Sequence, residues 1–259
     1  MAVKANHDIS SGLDTAFINS AINSNLAYRP EFVSNDYTQG KKVSVAIERE
    51  LRHCDAFYIS VAFITEGGLA PLKQVLAELR DKGIPGKILT TSYLTFTEPK
   101  ALKTLADLSN VEVRVYDSTD EGASGFHTKG YIFKEEEIYR FIVGSSNMTA
   151  SAFSVNKEWN TKLVSTSDGE LLKQMMTEFN ALWNSKHTLA VKDFIEDYEV
   201  RYRLIKEQKK NAAKEQMVDF QAYKLQPNKM QARFVSNFRK LLESNEHRGL
   251  LVSSCGSGK

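Results

Sequence analysis

Three strand-like runs separated by two helical stretches limit this chain to a narrow set of folds. Residues 56–64 are continuously apolar, β-branched and aromatic, the pattern of a strand buried on both faces. Residues 67–79 have helical spacing and stop before Gly83. Residues 87–92 read as a second strand, 99–108 as a second helix and 111–116 as a third strand. A β-α-β-α-β order predicts a parallel core with helices packed on the sheet. Around it, residues 42–52 read as a helix through Val43, Val45, Ala46 and Leu51. Residues 11–22 read as a short helix with Leu13, Ala16, Phe17 and Ala21 on one side. Residues 158–165 alternate like a strand. Residues 169–183 close the pattern as an amphipathic helix carrying Leu171, Leu172, Met175, Met176, Phe179, Leu182 and Trp183.

A second pattern lies on two further strand-like runs. His127 and Lys129 are two residues apart ahead of Tyr131-Ile132-Phe133; residues 138–143 follow, then Gly144-Ser145-Ser146-Asn147. On a strand, a spacing of two puts both side chains on one face. Residues 134–137, Lys-Glu-Glu-Glu, read as a solvated turn joining the strands. The pair then delivers an imidazole, an ammonium and a carboxamide to one point. That set suits attack on a phosphodiester, with one group bonding phosphorus and the others holding its oxygens. Ser145 is a further candidate donor, and Ser146 reads as a turn residue. The other histidines, His7, His53, His187 and His247, have no such companions and read as structural.

These residues resemble the HKD motif of the phospholipase D superfamily, in particular its nuclease branch. Asn156 and Glu158 continue the match. The family's aspartate, five residues beyond the lysine, is replaced here by Lys134. The resemblance implies a metal-independent phosphodiesterase with no cofactor, acting on DNA (or RNA), with His127 as nucleophile. Lys129, Asn147 and Ser145 would hold phosphate oxygens, and Glu158 would orient the imidazole. That chemistry needs two histidines and the chain has one H-x-K, so a homodimer completing the active site is implied. A phospholipid-hydrolysing enzyme and an inactive nucleic-acid-binding module are the other classes left open.

The chain has 259 residues, 42% hydrophobic and 25% charged, with a formal charge of +2. These values are ordinary for a globular protein and exclude no polyanion partner, because basic residues can be local. Cys54 and Cys255 are too few and too distant in sequence for a disulfide framework or metal site. No apolar run is long enough for a membrane span and no leader pattern opens the sequence, so the expectation is a cytoplasmic protein with no membrane partner.

Beyond residue 186 the character changes. Residues 191–216 are charged and helix-prone, with Phe194, Tyr198 and Tyr202 at every fourth position, a stripe that predicts packing on a neighbour. Further on, Gln231 precedes an amphipathic helix at residues 233–242, then Gly249-Leu250-Leu251-Val252 and Gly256-x-Gly258-Lys259. This resembles the opening of a superfamily 2 helicase motor. Gln231 stands where adenine is read, and Gly256, Gly258 and Lys259 where a glycine turn and lysine cradle phosphates. The sequence stops before the hydroxyl residue that would bind Mg²⁺, so ATP and Mg²⁺ are expected only in a full-length motor. The expectation is thus an α/β fold: a mixed β-sheet flanked by helices, phospholipase D-like, over residues 1–186. A helical linker over 187–222 and the truncated start of a helicase motor domain over 223–259 follow.

Overall fold

A computed structural model describes residues 2–216 and 229–244. The chain divides into two compact units, residues 1–205 and 206–259. In the first, eight strands form one sheet: β1 (Glu31–Val33), β2 (Ala56–Val61), β3 (Gly86–Thr91), β4 (Val111–Tyr116), β5 (Lys129–Glu135), β6 (Ile138–Gly144), β7 (Asn160–Thr166) and β8 (Thr188–Ala190). Their order is β1-β7-β6-β5-β2-β3-β4-β8. β2, β3 and β4 are parallel, as the alternating pattern predicts, and every other pairing is antiparallel. The sheet is therefore mixed, with β5 inserted against β2.

Helices cover both faces. On one lie α2 (Val43–Leu51), α3 (Glu66–Leu69), α4 (Lys73–Asp81), α5 (Pro99–Ala106) and α6 (Ala150–Ser154), whose apolar residues join Phe57, Ile59, Ile88, Val113, Tyr131 and Phe133 in the main core. On the other, α7 (Glu170–Trp183) buries Leu172, Phe179 and Trp183 against Leu89, Tyr116, Ile132 and Phe141. Of its expected apolar side, Leu171 is exposed.

Several expectations change. The first helix, α1 (Ala2–Leu13), lies earlier than residues 11–22 and runs into a π-turn at Asp14–Ile18 that leaves Phe17 and Ile18 in solvent. The Thr15 hydroxyl donates to the Ile22 carbonyl at 2.6 Å and closes the loop that ends the helix. The run 67–79 is two helices with a 3₁₀ turn at Ala70–Leu72, where Pro71 lacks the N–H that a continuous helix needs. Val45 in α2 is exposed, and Ile47 takes the core position. Lys134 and Glu135 belong to β5, leaving only Glu136 and Glu137 as the turn, with Glu136 at φ 52°.

The largest change is at the end of the first unit. β8 adds to the sheet beside β4, and α8 (Val191–Gln216) starts within the core rather than as an exposed connector. Val191, Phe194 and Tyr198 are buried, each burial worth about 1.5–3 kcal/mol. Phe194 stacks on Tyr198 at 4.9 Å, and the Tyr198 hydroxyl donates to the Thr97 carbonyl at 2.7 Å. The unit therefore continues to Ile205, past residue 186. In the second unit the described residues form the end of α8, from 206 to 216, and α9 (Lys229–Glu243), which carries Gln231. Gly256, Gly258 and Lys259 lie outside the described residues, as do Cys255 and His247.

Candidate active site

Four chain segments meet at one end of the sheet. Phe126 and Thr128 fix the first. Phe126 is buried under α7 and stacks on Tyr116 at 5.5 Å. The Thr128 carbonyl accepts from the Ala62 N–H at 3.0 Å, and its hydroxyl meets the Ser60 hydroxyl at 2.6 Å. His127 and Lys129, alternating with these anchors, emerge together. Lys129 opens β5, and His127 precedes the strand rather than lying within it. The predicted pair is nevertheless formed, with Lys129 Nζ 2.9 Å from His127 Nδ1 and 3.0 Å from the His127 carbonyl oxygen.

The second segment continues from β2. The Phe63 ring meets the His127 ring edge-on, with centroids 5.8 Å apart. The Phe63 N–H donates to Asn147 Oδ1 at 3.2 Å. With its oxygen thus occupied, the carboxamide has its Nδ2 donors free. Phe63 therefore supports both predicted residues, yet in the sequence it is only one aromatic among the apolar residues of 56–64.

The third and fourth segments are the loop after β6 and the residues before β7. They approach so closely at Gly144 that a Cβ there would lie 2.2 Å from the Trp159 carbonyl oxygen, so only glycine fits. The Ser145 N–H donates to the Trp159 carbonyl and the Trp159 N–H to Ser145 Oγ, both at 3.0 Å. The Ser145 hydroxyl donates to the Glu158 carboxylate. Ser146 is fully buried and structural. Its N–H donates to Asn160 Oδ1 at 3.2 Å, its Oγ accepts from Asn160 Nδ2 at 2.9 Å, and its carbonyl accepts from the Tyr131 hydroxyl at 3.0 Å. Asn160 was not legible as a site residue in the sequence.

Glu158 precedes β7 and is buried. Its charge acts on two neighbours. Burial holds the Lys129 ammonium below its ordinary value of 10.5, and Glu158 partly restores it. Burial, then Glu158, pushes the Tyr131 hydroxyl well above its usual range. No hydrogen bond joins Glu158 to the imidazole; the carboxylate holds Ser145 instead of the expected His127. Among the other described histidines, His53 meets the Arg49 carbonyl at 2.8 Å, His187 meets Asp120 at 3.2 Å, and His7 lies 3.9 Å from Asp8. Cys54 is buried, its thiol pushed up to about 12 by that burial. Among the described residues no three His, Cys, Asp or Glu side chains form a metal-binding group, and no helix is long and apolar enough to cross a membrane.

The segment from β2 to α7 that builds this sheet end is the part of the chain with a recognisable lineage. The family model described as "Cardiolipin synthase, PLD-like domain" matches residues 54–183, half of the chain. The protein belongs to this phospholipase D-like family, within a superfamily of phosphodiesterases. Among solved structures, the chain is similar to the phospholipase D family member Nuc from Salmonella typhimurium, at 16% identity and a TM-score of 0.48, covering 62% of this chain and 98% of that one. It is similar to NucT from Helicobacter pylori at 15% identity and a TM-score of 0.48, with the same coverage. It is also similar to phosphatidylserine synthase from Haemophilus influenzae at 14% identity and a TM-score of 0.46, covering 73% of this chain and 46% of that one. No curated protein matches the chain.

Proposed function

We propose that this protein hydrolyses phosphodiester bonds in DNA without a metal ion, through a covalent phosphohistidine on His127. The observation that carries the reading is the 2.9 Å contact between Lys129 Nζ and His127 Nδ1. In the first step an imidazole nitrogen of His127 bonds phosphorus, and the P–O bond to the leaving strand breaks. A second histidine gives its proton to that leaving oxygen. In the second step water bonds phosphorus, its proton returns to the second histidine, and the N–P bond breaks. Lys129 and the free Nδ2 of Asn147 take the non-bridging oxygens, contacts of a kind worth about 10²–10³ in rate each. Ser145, gripped by Glu158, is a further candidate contact, and Glu158 partly offsets the burial that lowers the Lys129 ammonium.

The chain carries a single H-x-K, so we take the second histidine to be His127 of another copy in a homodimer. The copy that acts as proton donor enters as an imidazolium, with hydrogens on both ring nitrogens, so its Lys129 cannot at the same time donate to Nδ1. A phosphate that draws Lys129 away from one ring leaves that imidazole free to act as nucleophile. DNA as substrate is supported by the helicase-like pattern of Gln231, Gly256, Gly258 and Lys259 later in the same chain, which we assign to a nucleotide-driven motor.

The test is hydrolysis of bis-p-nitrophenyl phosphate and DNA in EDTA, beside phosphatidylcholine vesicles. We expect cleavage of the first two by a dimer, and a loss of about 10³-fold or more in His127→Ala. Activity that appears only with added Mg²⁺ or Mn²⁺, or that is confined to the vesicles, would refute the reading.

A further inference from the structure

A groove of about 880 Å³ opens beside β1, β7 and α2, within the size range of ligand sites. Six cationic side chains line it against three carboxylates. Lys162, almost fully buried, meets Glu31 at 2.7 Å and Glu50 at 3.4 Å; Arg49 meets Glu31 at 3.0 Å and Glu50 at 3.3 Å; Arg140 pairs with Glu135. These three cations and three carboxylates cancel. Arg29, Lys41 and Lys42 form no ion pair among the described residues, so the groove as described carries three unbalanced positive charges.

Phe32, on edge strand β1, lines the same groove and is 63% exposed. Its ring meets Trp159 edge-on at 5.8 Å, and Trp159 is 75% exposed. Two large rings in contact, both left in solvent, are unusual on a surface that binds nothing. Trp159 is tied by both backbone bonds to Ser145, which in turn holds Glu158. Phe32, at the groove, is thus linked through Trp159 to the loop of the candidate active site.

We propose that this surface binds an unpaired nucleic-acid strand and leads it to His127. Bases stack on Phe32 and Trp159, and phosphates lie along Arg29, Lys41 and Lys42. Interleaved rings and cations suit a single strand, because its bases have free faces. Duplex bases already stack on one another and must be pulled apart first. The proposal rests on the phosphodiesterase reading for the chemistry at His127, but not for the binding.

Binding is measured by the anisotropy of a short fluorescent oligothymidylate on His127→Ala, so that nothing is cleaved. Phe32→Ala and Trp159→Ala each weaken it by about 5- to 150-fold. Both rings are exposed, so neither change opens a cavity. Replacing Arg29, Lys41 and Lys42 together by alanine lowers the salt slope, log affinity against log salt, by about 2. With His127 restored, that triple variant unfolds in urea at the parent midpoint, which shows it folded. If even the parent leaves the small diester intact, the phosphodiesterase reading fails while the binding result stands. Unchanged affinity and salt slope would overturn the proposal, as would equal affinity for a duplex of the same length. So would ring variants that turn a dimer into a monomer with strand binding intact, which would make the patch a subunit interface. Capture of phosphatidylglycerol vesicles, with no strand bound, would assign the groove to lipid instead.

Discussion

Asn160→Ala tests whether the loop bearing Ser145 and Asn147 is held from beneath. Asn160 is 2% exposed and makes three hydrogen bonds: Nδ2 to the Val33 carbonyl at 3.1 Å, Nδ2 to Ser146 Oγ at 2.9 Å, and Oδ1 from the Ser146 N–H at 3.2 Å. Alanine removes all three. The stranded groups are buried with Ser146, which has no exposed surface, and with Val33. A buried polar group without a partner costs about 1–3 kcal/mol. Losing a partner for the Ser146 N–H and the Val33 carbonyl therefore predicts about 2–6 kcal/mol of destabilisation, toward the lower end if water enters the space. That is a large part of the 5–15 kcal/mol typical of a folded domain. Ser145 then keeps its bonds to Trp159 and Glu158, but Asn147 is held chiefly by its bond from Phe63. kcat on a small diester should fall about 10-fold or more under conditions where the variant is still folded. Urea unfolding followed by tryptophan fluorescence gives the first quantity and steady-state hydrolysis the second. A loss below about 1 kcal/mol would refute the hydrogen-bond argument. Full destabilisation with unaltered kcat would show that the loop's geometry does not depend on Asn160.

Two further outcomes are expected. Burial holds Lys129 below 10.5 and Glu158 pulls it back up, so activity that needs the ammonium should fall on an alkaline limb centred below 10.5. Glu158→Gln removes the upward influence, and the limb in kcat/KM against pH should move to lower pH; a limb that stays or rises would refute the coupling. Tyr198→Phe deletes the bond to the buried Thr97 carbonyl and should cost about 1–2 kcal/mol in denaturant unfolding while leaving diester hydrolysis unchanged. An altered kcat would mean that α8 bears on the site as well as on the core.

What the sequence revealed, and what it hid, follows from how each contact is encoded. β4 runs from Val111 to Tyr116 as expected, because Val111, Val113 and Val115 alternate with Glu112 and Arg114 at the period of a strand. The packing of α8 was legible in the stripe of Phe194, Tyr198 and Tyr202, but the charged residues that dominate its second half made the segment read as a linker rather than as part of the first unit. That His127 and Lys129 meet was legible because a spacing of two at the start of a strand puts both side chains on one side. Asn160 was not, because a carboxamide in an alternating strand looks the same whether it faces water or holds three partners. The partner of Glu158 was likewise invisible: a carboxylate near both Ser145 and Lys129 in sequence pattern could equally have served the imidazole, and only side-chain placement distinguishes them.

The topology explains why residues so far apart converge. β5 runs antiparallel to β2, so its first residue, Lys129, pairs with Val61 at the end of β2, just before Phe63. β6 runs antiparallel to β5, so its exit at Gly144, leading to Ser145 and Asn147, returns to the same end. β7 is antiparallel to β6, and its entry pairs Asn160 with Gly144, bringing Glu158 alongside. Three consecutive reversals thus deliver two strand starts and two strand ends to one edge of the sheet. A wholly parallel continuation would have sent the entry to β5 to the opposite edge and separated Lys129 from Asn147 by the length of a strand, about 20 Å. The antiparallel insertion of β5 beside β2 is therefore what turns a common α/β layer into a place where one imidazole, one ammonium and one carboxamide can act on the same phosphate.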